Sequence, residues 1–277
     1  MSEVRNYKLV IEAGKDKSRY FKDLWQYREL FFFLAWRDIL VRYKQTIIGI
    51  AWSIIRPLLT MIVFTVIFGK IAKLPSDGAP YAIMVFSAML PWQFFSNTLN
   101  EGGNSLISNS SMISKVYFPR IIIPTTSMIV SLIDFLISIV ILACVMGVYL
   151  YIPSWKIVFM PLFLTLAIIT SLGITYLISA LNVKYRDFRY VLPFIVQFGL
   201  YVSPVGFSSS VIPSKWRLFY SLNPMVGVID GFRWCIQGTD NIIYWPGFLL
   251  SIGVAVLVFI TGFMVFRKTE REFADVI

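Results

Sequence analysis

Six long stretches of apolar residues dominate the chain, and polar segments separate them. They cover residues 47–68, 81–99, 121–149, 157–181, 191–207 and 242–266. A bilayer core of about 30 Å requires about 20 apolar residues in a helix, and most of these stretches reach that length. The third is long enough to tilt in the bilayer, and the fifth is short. The pattern predicts an all-α polytopic membrane protein with six transmembrane helices.

The segment before the first apolar stretch is amphipathic. Between residues 20 and 44, Phe21, Leu24 and Phe31 recur at helical spacing, with charged residues between them. This pattern predicts a helix that lies at the inner membrane surface. The helix could be a plain anchor, or it could take part in gating or substrate binding. The predicted organisation is a cytoplasmic N-terminus with this interface helix (1–44), a six-span transmembrane domain (45–266) and a cytoplasmic tail (267–277).

The segment between the fifth and sixth stretches is too long for a simple connection. Helix breakers alternate there with apolar and aromatic runs, and the breakers are Pro213, Pro224, Gly227 and Gly231. We expect two short re-entrant helices that dip into the outer leaflet. Broken backbone at membrane depth is tolerated where it is buried in protein or lines a watery cavity. The segment is therefore either part of a pathway or a packed cap.

The loop between the second and third stretches, residues 100–120, is predicted on the inner side. Gly102-Gly103 is expected to end the preceding helix. A short amphipathic helix after it would project onto a partner protein. A solvated connector is the alternative.

The distribution of basic residues orients the predicted spans. Of the 25 lysines and arginines, 19 fall on the same side as the two termini. The other six are Lys70, Lys73, Lys156, Lys215, Arg217 and Arg233. Because cytoplasmic segments are enriched in basic residues, both termini are predicted to be cytoplasmic. The net charge of +10 then indicates contact with anionic lipids, and no nucleic-acid partner is expected.

Several classes of enzyme are disfavoured by the composition. The chain has no histidine, which removes serine–histidine and cysteine–histidine catalysis and histidine-based zinc sites. Its two Gly-Lys pairs are followed by Asp16 and Ile71, so neither completes a Walker A motif. Cys144 lies in an apolar stretch, which argues against a disulfide framework. No cleavable signal peptide is expected, because the first 20 residues are polar and charged.

A polar stripe crosses the start of the first span. On one continuous helix, Arg42, Gln45, Gly49, Trp52 and Arg56 would share a face, because they follow each other at steps of 3 or 4. A guanidinium group matches a phosphate bidentately, so the stripe suits an anionic head group that enters from the inside. Snorkelling of the second arginine to the interface is an equally good interpretation.

A carboxylate lies in the middle of the third span. A lone charge at that depth costs about 3 kcal/mol, so Asp134 requires a partner. Arg56 or a polar neighbour on another helix could serve. A structural pair is favoured over a proton relay, because the spans contain no second acidic residue or histidine.

Four motifs in this order resemble the permease subunit of ABC-2-type polysaccharide exporters. They are RDILVRYKQTIIGIAWSIIRPLLTMIVFTVIFGKI at 37–71, LPWQFFSNTL at 90–99, NSLISNSSMISKVYFPR at 104–120 and SLNPMVGVIDGFRW at 221–234. The resemblance extends over roughly residues 30–266. Such permeases export O-antigen chains, some capsular polysaccharides and teichoic (polyol-phosphate) polymers.

The resemblance implies a non-enzymatic homodimer in the bacterial cytoplasmic (inner) membrane. Two copies of a separate ATPase subunit would bind ATP and magnesium, and this chain would hold no cofactor. The implied substrate is a polyprenyl-pyrophosphate-linked polysaccharide, most simply of the O-antigen type, which crosses in a channel at the dimer interface. The alternative is an ABC-2-type exporter of teichoic acid, capsular polymer, a small lipid or a drug. A membrane glycosyl- or phosphotransferase is a rival, although no paired-carboxylate cluster supports it.

The resemblance also assigns three groups of residues. Those at the lipid head-group entrance are Arg37, Arg42, Lys44, Gln45, Trp52 and Arg56. Those that couple to the ATPase are Asn109, Met112, Lys115, Val116, Tyr117 and Phe118. Aromatic rings that could stack on the sugars are Phe94, Phe95, Phe198, Tyr201, Phe207, Tyr220 and Trp234. Packing against lipid or the core is the competing interpretation of each ring.

Overall fold

A computed structural model describes residues 17–44, 47–76, 78–185, 187–238, 243–270 and 273, and these residues form helices and connecting turns without a β-strand. The α-helices are α1 (Lys17–Gln26), α2 (Arg28–Lys44), α3 (Ile47–Phe64), α4 (Tyr81–Ser108), α5 (Ser110–Ile113), α6 (Ile122–Val148), α7 (Met160–Lys184), α8 (Phe188–Val202), α9 (Ser214–Tyr220), α10 (Pro224–Gln237) and α11 (Trp245–Thr269). A π-helical segment, Thr65–Ile71, extends α3, and 3-10 turns occur at Trp155–Phe159 and Ser209–Val211. The all-α prediction is confirmed for these residues.

Four helical segments among the described residues are long and apolar enough to cross a membrane. They are Ser53–Ile71, Ile122–Val148, Trp155–Lys184 and Trp245–Thr269. They correspond to the first, third, fourth and sixth predicted spans. The second predicted span lies in α4, which has 28 residues, and the fifth lies in α8, which has 15. The count of six spans remains a prediction.

Helix α4 lies at the centre of the molecule and packs against α3, α6, α7, α8 and α10. Most of its side chains are buried, including several hydroxyls. The hydroxyl of Ser87 donates to the carbonyl of Met84 (2.8 Å), and that of Thr98 donates to Phe94 (2.8 Å). Hydroxyls satisfied within their own helix can be buried at little cost. Because protein rather than lipid surrounds α4, the helix does not require the hydropathy of a lipid-facing span.

The prediction that Gly102-Gly103 ends this helix is wrong, since α4 continues to Ser108. A Cβ atom on Gly102 would overlap the side chain of Thr175, and one on Gly103 would lie 2.8 Å from Leu192 Cδ2. The two glycines thus allow α7 and α8 to approach α4 closely. Small residues serve this purpose in membrane proteins, where backbone proximity replaces the hydrophobic driving force.

Helices α9 and α10 occupy the segment that was predicted to contain two short helices. Pro213 and Pro224 precede or open them, as expected of residues that fit the first helical turn. The prediction that Gly227 and Gly231 also break the backbone is wrong, because both lie inside α10. A Cβ atom on Gly231 would overlap the ring of Phe163 of α7. These glycines therefore serve helix packing.

Candidate functional site

Three hydrogen-bond donors from α2 and α4 converge on the carboxylate of Asp134 in α6. Arg42 Nη2 lies 2.6 Å from Asp134 Oδ2. The hydroxyl of Tyr43 donates to Oδ1, and the amide of Asn97 donates to Oδ2 at 3.4 Å. We call Arg42, Tyr43, Asn97 and Asp134 the Asp134 site. The expected partner of this carboxylate is thus Arg42, with polar neighbours, rather than Arg56.

The Asp134 site forms because α2 packs along α6 through its buried residues Leu34 and Ala35. The C-terminal turn of α2 then places Arg42 and Tyr43 beside the middle of α6. Burial, followed by the hydrogen bond to Asp134 and the charge of that carboxylate, raises the pKa of Tyr43. The phenol therefore stays protonated at neutral pH and remains a donor.

The guanidinium of Arg42 also faces a second carboxylate. Glu101 Oε1 lies 3.5 Å from Arg42 Nη1, and its side chain is mostly exposed. Because solvent screens this longer contact, it is the weaker of the two. The Asp134 site therefore has one strong, sheltered ion pair with an open side toward Glu101.

A second contact of α2 reaches the segment that was predicted to couple to an ATPase. Arg37 Nη2 donates to Asn109 Oδ1 at 3.0 Å and to Asp38 Oδ1 at 2.7 Å. Asn109 lies between α4 and α5. One helix thus contacts both the predicted coupling segment and the carboxylate in α6.

The other residues predicted at the entrance are placed separately from the Asp134 site. Lys44 is exposed at the end of α2, and Arg56 is exposed in α3 next to the buried Pro57. Trp52 lies in the backbone of α3, and Gln45 lies outside the described residues. Since α2 and α3 are described as two helices with residues 45 and 46 left out, the predicted stripe cannot be traced as one continuous face.

The predicted coupling residues divide into an exposed and a buried part. Lys115, Val116 and Tyr117 are exposed, and the side chain of Tyr117 is 66% accessible. We call these three residues the exposed turn. Met112 is half-buried, whereas Phe118 is only 3% accessible and packs in the core. The buried ring supports the turn from inside and is not available to a partner.

A buried glutamate after α11 ties the end of this loop to the N-terminal helix. The backbone N–H of Arg120 donates to Glu270 Oε1 (2.7 Å), and the hydroxyl of Tyr20 donates to Oε2 (3.3 Å). The guanidinium of Arg267 lies 3.3 Å from the centre of the Tyr20 ring. Burial raises the pKa of Glu270. The sequence offered no signal for this contact, because its residues are about 100 or more positions apart.

The predicted sugar-stacking rings fall into two environments. Phe94 and Phe95 are buried in the core, where Phe94 meets Phe135 edge-on with centroids 6.0 Å apart. Phe198 and Tyr201 are exposed on α8. Phe194, which sequence reasoning missed, stacks on Phe198 with centroids 6.3 Å apart and an angle of 15°. Its spacing of four residues from Phe198 was the available signal.

The remaining rings surround a buried arginine in α10. Arg233 is 1% accessible, and its guanidinium donates to the carbonyls of Val205 (3.1 Å) and Phe207 (2.8 Å). It also donates to Met84 in α4 at 3.4 Å. The hydroxyl of Tyr220 donates to the carbonyl of Val202 at 2.7 Å. These contacts fix the broken backbone that follows α8.

Trp234 lies on the other side of this region. Its ring packs 5.8 Å from Phe159 and 6.3 Å from Phe163, measured between centroids. The ammonium group of Lys156 lies 4.8 Å from the Trp234 ring centre and donates to the carbonyl of Gly238. Trp234 therefore joins the 3-10 turn, α7 and α10.

The site offers cationic and neutral donors but no described metal centre. Within the residues that the structure describes, no group of three or more acidic or thiol side chains could hold a metal ion. Cys144 and Cys235 are both free thiols. The chemistry available at the Asp134 site is therefore anion binding by Arg42, Tyr43 and Asn97.

The sequence profile of ABC-2 type transporters matches residues 29–236, about three quarters of the chain. The chain belongs to the ABC-2 type transporter family. The matched part of this ABC-2 transporter contains the Asp134 site, the exposed turn and Arg233. It is a multi-pass membrane protein, as its long apolar helices indicate.

Relatives of this ABC-2 transporter are named as polysaccharide transport proteins. An O-antigen export system permease protein RfbA of Myxococcus xanthus is 25% identical over 93% of this chain and 98% of its own length. Another of that name from Klebsiella pneumoniae is 28% identical over 87% of this chain and 92% of its own. A polysialic acid transport protein KpsM of Escherichia coli is 23% identical over 85% and 91%.

Proposed function

We propose that the protein is the permease subunit of an ATP-driven exporter that moves a polyprenyl-pyrophosphate-linked polysaccharide of the O-antigen type. It acts in the bacterial cytoplasmic membrane, and two copies of a separate subunit bind the ATP. The observation that carries the proposal is the similarity to O-antigen export permeases over 93% of this chain. Similarity along nearly the whole chain favours the same architecture and the same class of cargo.

The chemistry of α2 supports a phosphate-bearing lipid as the cargo. The helix presents Arg42 and Tyr43 as donors in a half-buried setting, and Lys44 is exposed beside them. Arginine binds phosphate oxygens bidentately, and a low local dielectric strengthens such bonds. Arg56, exposed in α3, extends the cationic surface.

The exposed faces of α3 and α8 support a path between two copies of the chain. On α8, the accessible rings are Tyr190, Phe194, Phe198 and Tyr201. On α3, the accessible apolar residues include Ile55, Leu59 and Ile62. Rings with two rotatable bonds stack on varied sugars at little entropic cost, which suits a long polymer. In this proposal α9 and α10 form the outer exit.

Capsular polysaccharide is the second candidate cargo. The similarity to a polysialic acid transport protein over 85% of this chain favours it. Its lower identity, 23%, ranks it behind O-antigen. Teichoic acid, a small lipid or a drug would require the same fold with a different cargo site.

Disruption of the gene should remove the surface polysaccharide of its host. The polymer, still joined to its lipid pyrophosphate, should accumulate on the cytoplasmic side, because synthesis continues while export stops. Immunoblots of surface glycan and mass spectrometry of extracted lipid would measure both effects, and a plasmid copy should reverse them. An unchanged surface polymer together with altered drug sensitivity would contradict the proposal.

Replacing Tyr117 by alanine should weaken binding of the ATPase subunit at least tenfold. An exposed tyrosine at the centre of an interface contributes on the order of 2 kcal/mol, and 1.4 kcal/mol is a factor of ten. Affinity measured with the purified subunits would show the loss, while the melting temperature of the permease should stay unchanged.

Two variants control the Tyr117 experiment. Tyr149→Ala removes a similarly exposed ring at the opposite end of α6 and should leave ATPase binding intact. Phe118→Ala should lower the melting temperature, because emptying a buried phenylalanine site costs about 3 kcal/mol or more. Equal ATPase affinity for Tyr117→Ala and Tyr149→Ala would exclude the exposed turn as the coupling surface.

A further inference from the structure

We propose that Asp134 is a resident anion that holds Arg42 and Tyr43 until the pyrophosphate of the substrate takes its place. This inference rests on the proposed function and assigns a role to a residue inside it. The Asp134 site is then a preformed oxyanion site that the chain occupies with its own carboxylate.

The geometry of the donors carries the inference. Arg42 at 2.6 Å, Tyr43 and Asn97 at 3.4 Å all point at the two oxygens of one carboxylate. Each of these donors would equally serve a phosphate oxygen. The donors belong to α2 and α4, whereas the carboxylate belongs to α6. A small shift of α2 against α6 would therefore separate Arg42 from Asp134 without breaking either helix.

The exposure of the pair leaves a side from which a ligand can approach. The side chain of Arg42 is 33% accessible, whereas that of Asp134 is 11% accessible. A ligand can thus reach the guanidinium while the carboxylate remains sheltered behind it. A pyrophosphate brings more negative charge than one carboxylate and more oxygens for bidentate contact. The exchange is favourable only for a multiply charged head group, which would exclude ordinary zwitterionic lipids.

The position of Arg42 on α2 links the exchange to the ATPase side. The same helix bonds Asn109 through Arg37, five residues earlier. When Arg42 leaves Asp134, the C-terminal end of α2 loses its attachment to α6 but keeps its contact next to α5. Occupation of the Asp134 site should therefore be detectable as stimulated ATP hydrolysis.

The test uses the permease with its ATPase subunit in lipid vesicles. A short-chain polyprenyl pyrophosphate is titrated, and the concentration for half-maximal stimulation of ATPase activity is measured. Asp134→Asn should lower this concentration about tenfold, because the tethered competitor loses its charge. Tyr43→Phe should raise it about tenfold, because one donor to the phosphate is lost. Asp187→Asn, the same change at an exposed position, should leave it unchanged.

The opposite signs separate exchange from a structural ion pair. If both Asp134→Asn and Tyr43→Phe raise the concentration, Asp134 only holds the helices together and the inference is overturned. Inorganic pyrophosphate in place of the lipid should fail to stimulate, and equal stimulation would reassign the site to a free anion. If the wild-type complex responds to the lipid without this split, the inference fails and the proposed function stands. If the lipid does not stimulate the wild-type complex at all, the inference fails, and loss of surface polymer on gene disruption then decides the proposed function.

A measurement on the wild-type complex covers the case in which Asp134→Asn does not fold. Carbodiimide labels accessible carboxylates, and mass spectrometry reports the extent of labelling at Asp134. Polyprenyl pyrophosphate should increase this labelling at least twofold, because Arg42 leaves the carboxylate, and uncharged polyprenol should not. Unchanged or reduced labelling with the pyrophosphate would overturn the inference.

Discussion

Replacing Gly262 by alanine should destabilise the protein by about 3 kcal/mol and remove most of the folded permease from the membrane. Gly262 of α11 faces Gly173 of α7, and an added Cβ atom would overlap the carbonyl oxygen of Gly173. On the other side of the crossing, a Cβ atom on Gly173 would lie 2.6 Å from Phe259 Cα. The obstructing atoms on both sides are backbone, so no side chain can rotate away. The two helices would have to move apart along their shared length.

The matched control lies on the same helix. Gly253 has open space around its Cβ position, so Gly253→Ala should be neutral or stabilising by up to about 1 kcal/mol. Melting of the detergent-purified protein and its yield from membranes would be measured for both variants. Similar melting temperatures for Gly262→Ala and Gly253→Ala would contradict the close crossing.

The hydropathy pattern predicted the long apolar helices well, because lipid-facing helices must be apolar over a fixed length. It predicted the second span less well. Helix α4 continues nine residues beyond the predicted end at residue 99, because Gly102 and Gly103 pack against other helices instead of ending their own. A glycine that permits close packing and a glycine that ends a helix look the same in the sequence.

The candidate site was predictable only in its parts. Arg42 and Asp134 both stood out, since charges in or near an apolar span require an explanation. Their pairing depends on the packing of α2 along α6, which no local pattern specifies. Tyr43 and Asn97 were missed for the same reason, although an asparagine in an apolar span was a usable signal. Arg56 looked like the nearer partner because it lies within the predicted first span.

Arg233 shows how a correct charge count can hide a structural role. The sequence placed it among six basic residues on the outer side. In the structure it is nearly inaccessible, and three backbone carbonyls accept its hydrogen bonds. Two of these carbonyls, those of Val205 and Phe207, lie just after α8, where the regular backbone bonds of the helix have ended. Arg233 supplies donors that this irregular backbone would otherwise lack.

Replacing Arg233 by methionine should therefore destabilise the protein by about 3 kcal/mol and abolish export. Methionine has a similar length, but it has no donor for the carbonyls, and a buried acceptor left without a partner costs about 1–3 kcal/mol. Arg233→Lys should recover only part of the stability, because one ammonium group cannot span carbonyls that a planar guanidinium reaches together.

Arg217→Met is the matched control, because Arg217 also donates to two carbonyls, those of Ile212 (3.1 Å) and Ser210 (3.0 Å). Arg217 is only partly buried, so water can replace its bonds, and we expect a loss within about 1 kcal/mol. Melting temperature and surface polysaccharide would be measured for the three variants. If Arg233→Met melts like Arg217→Met and still exports polymer, the buried guanidinium does not hold the segment after α8 in place.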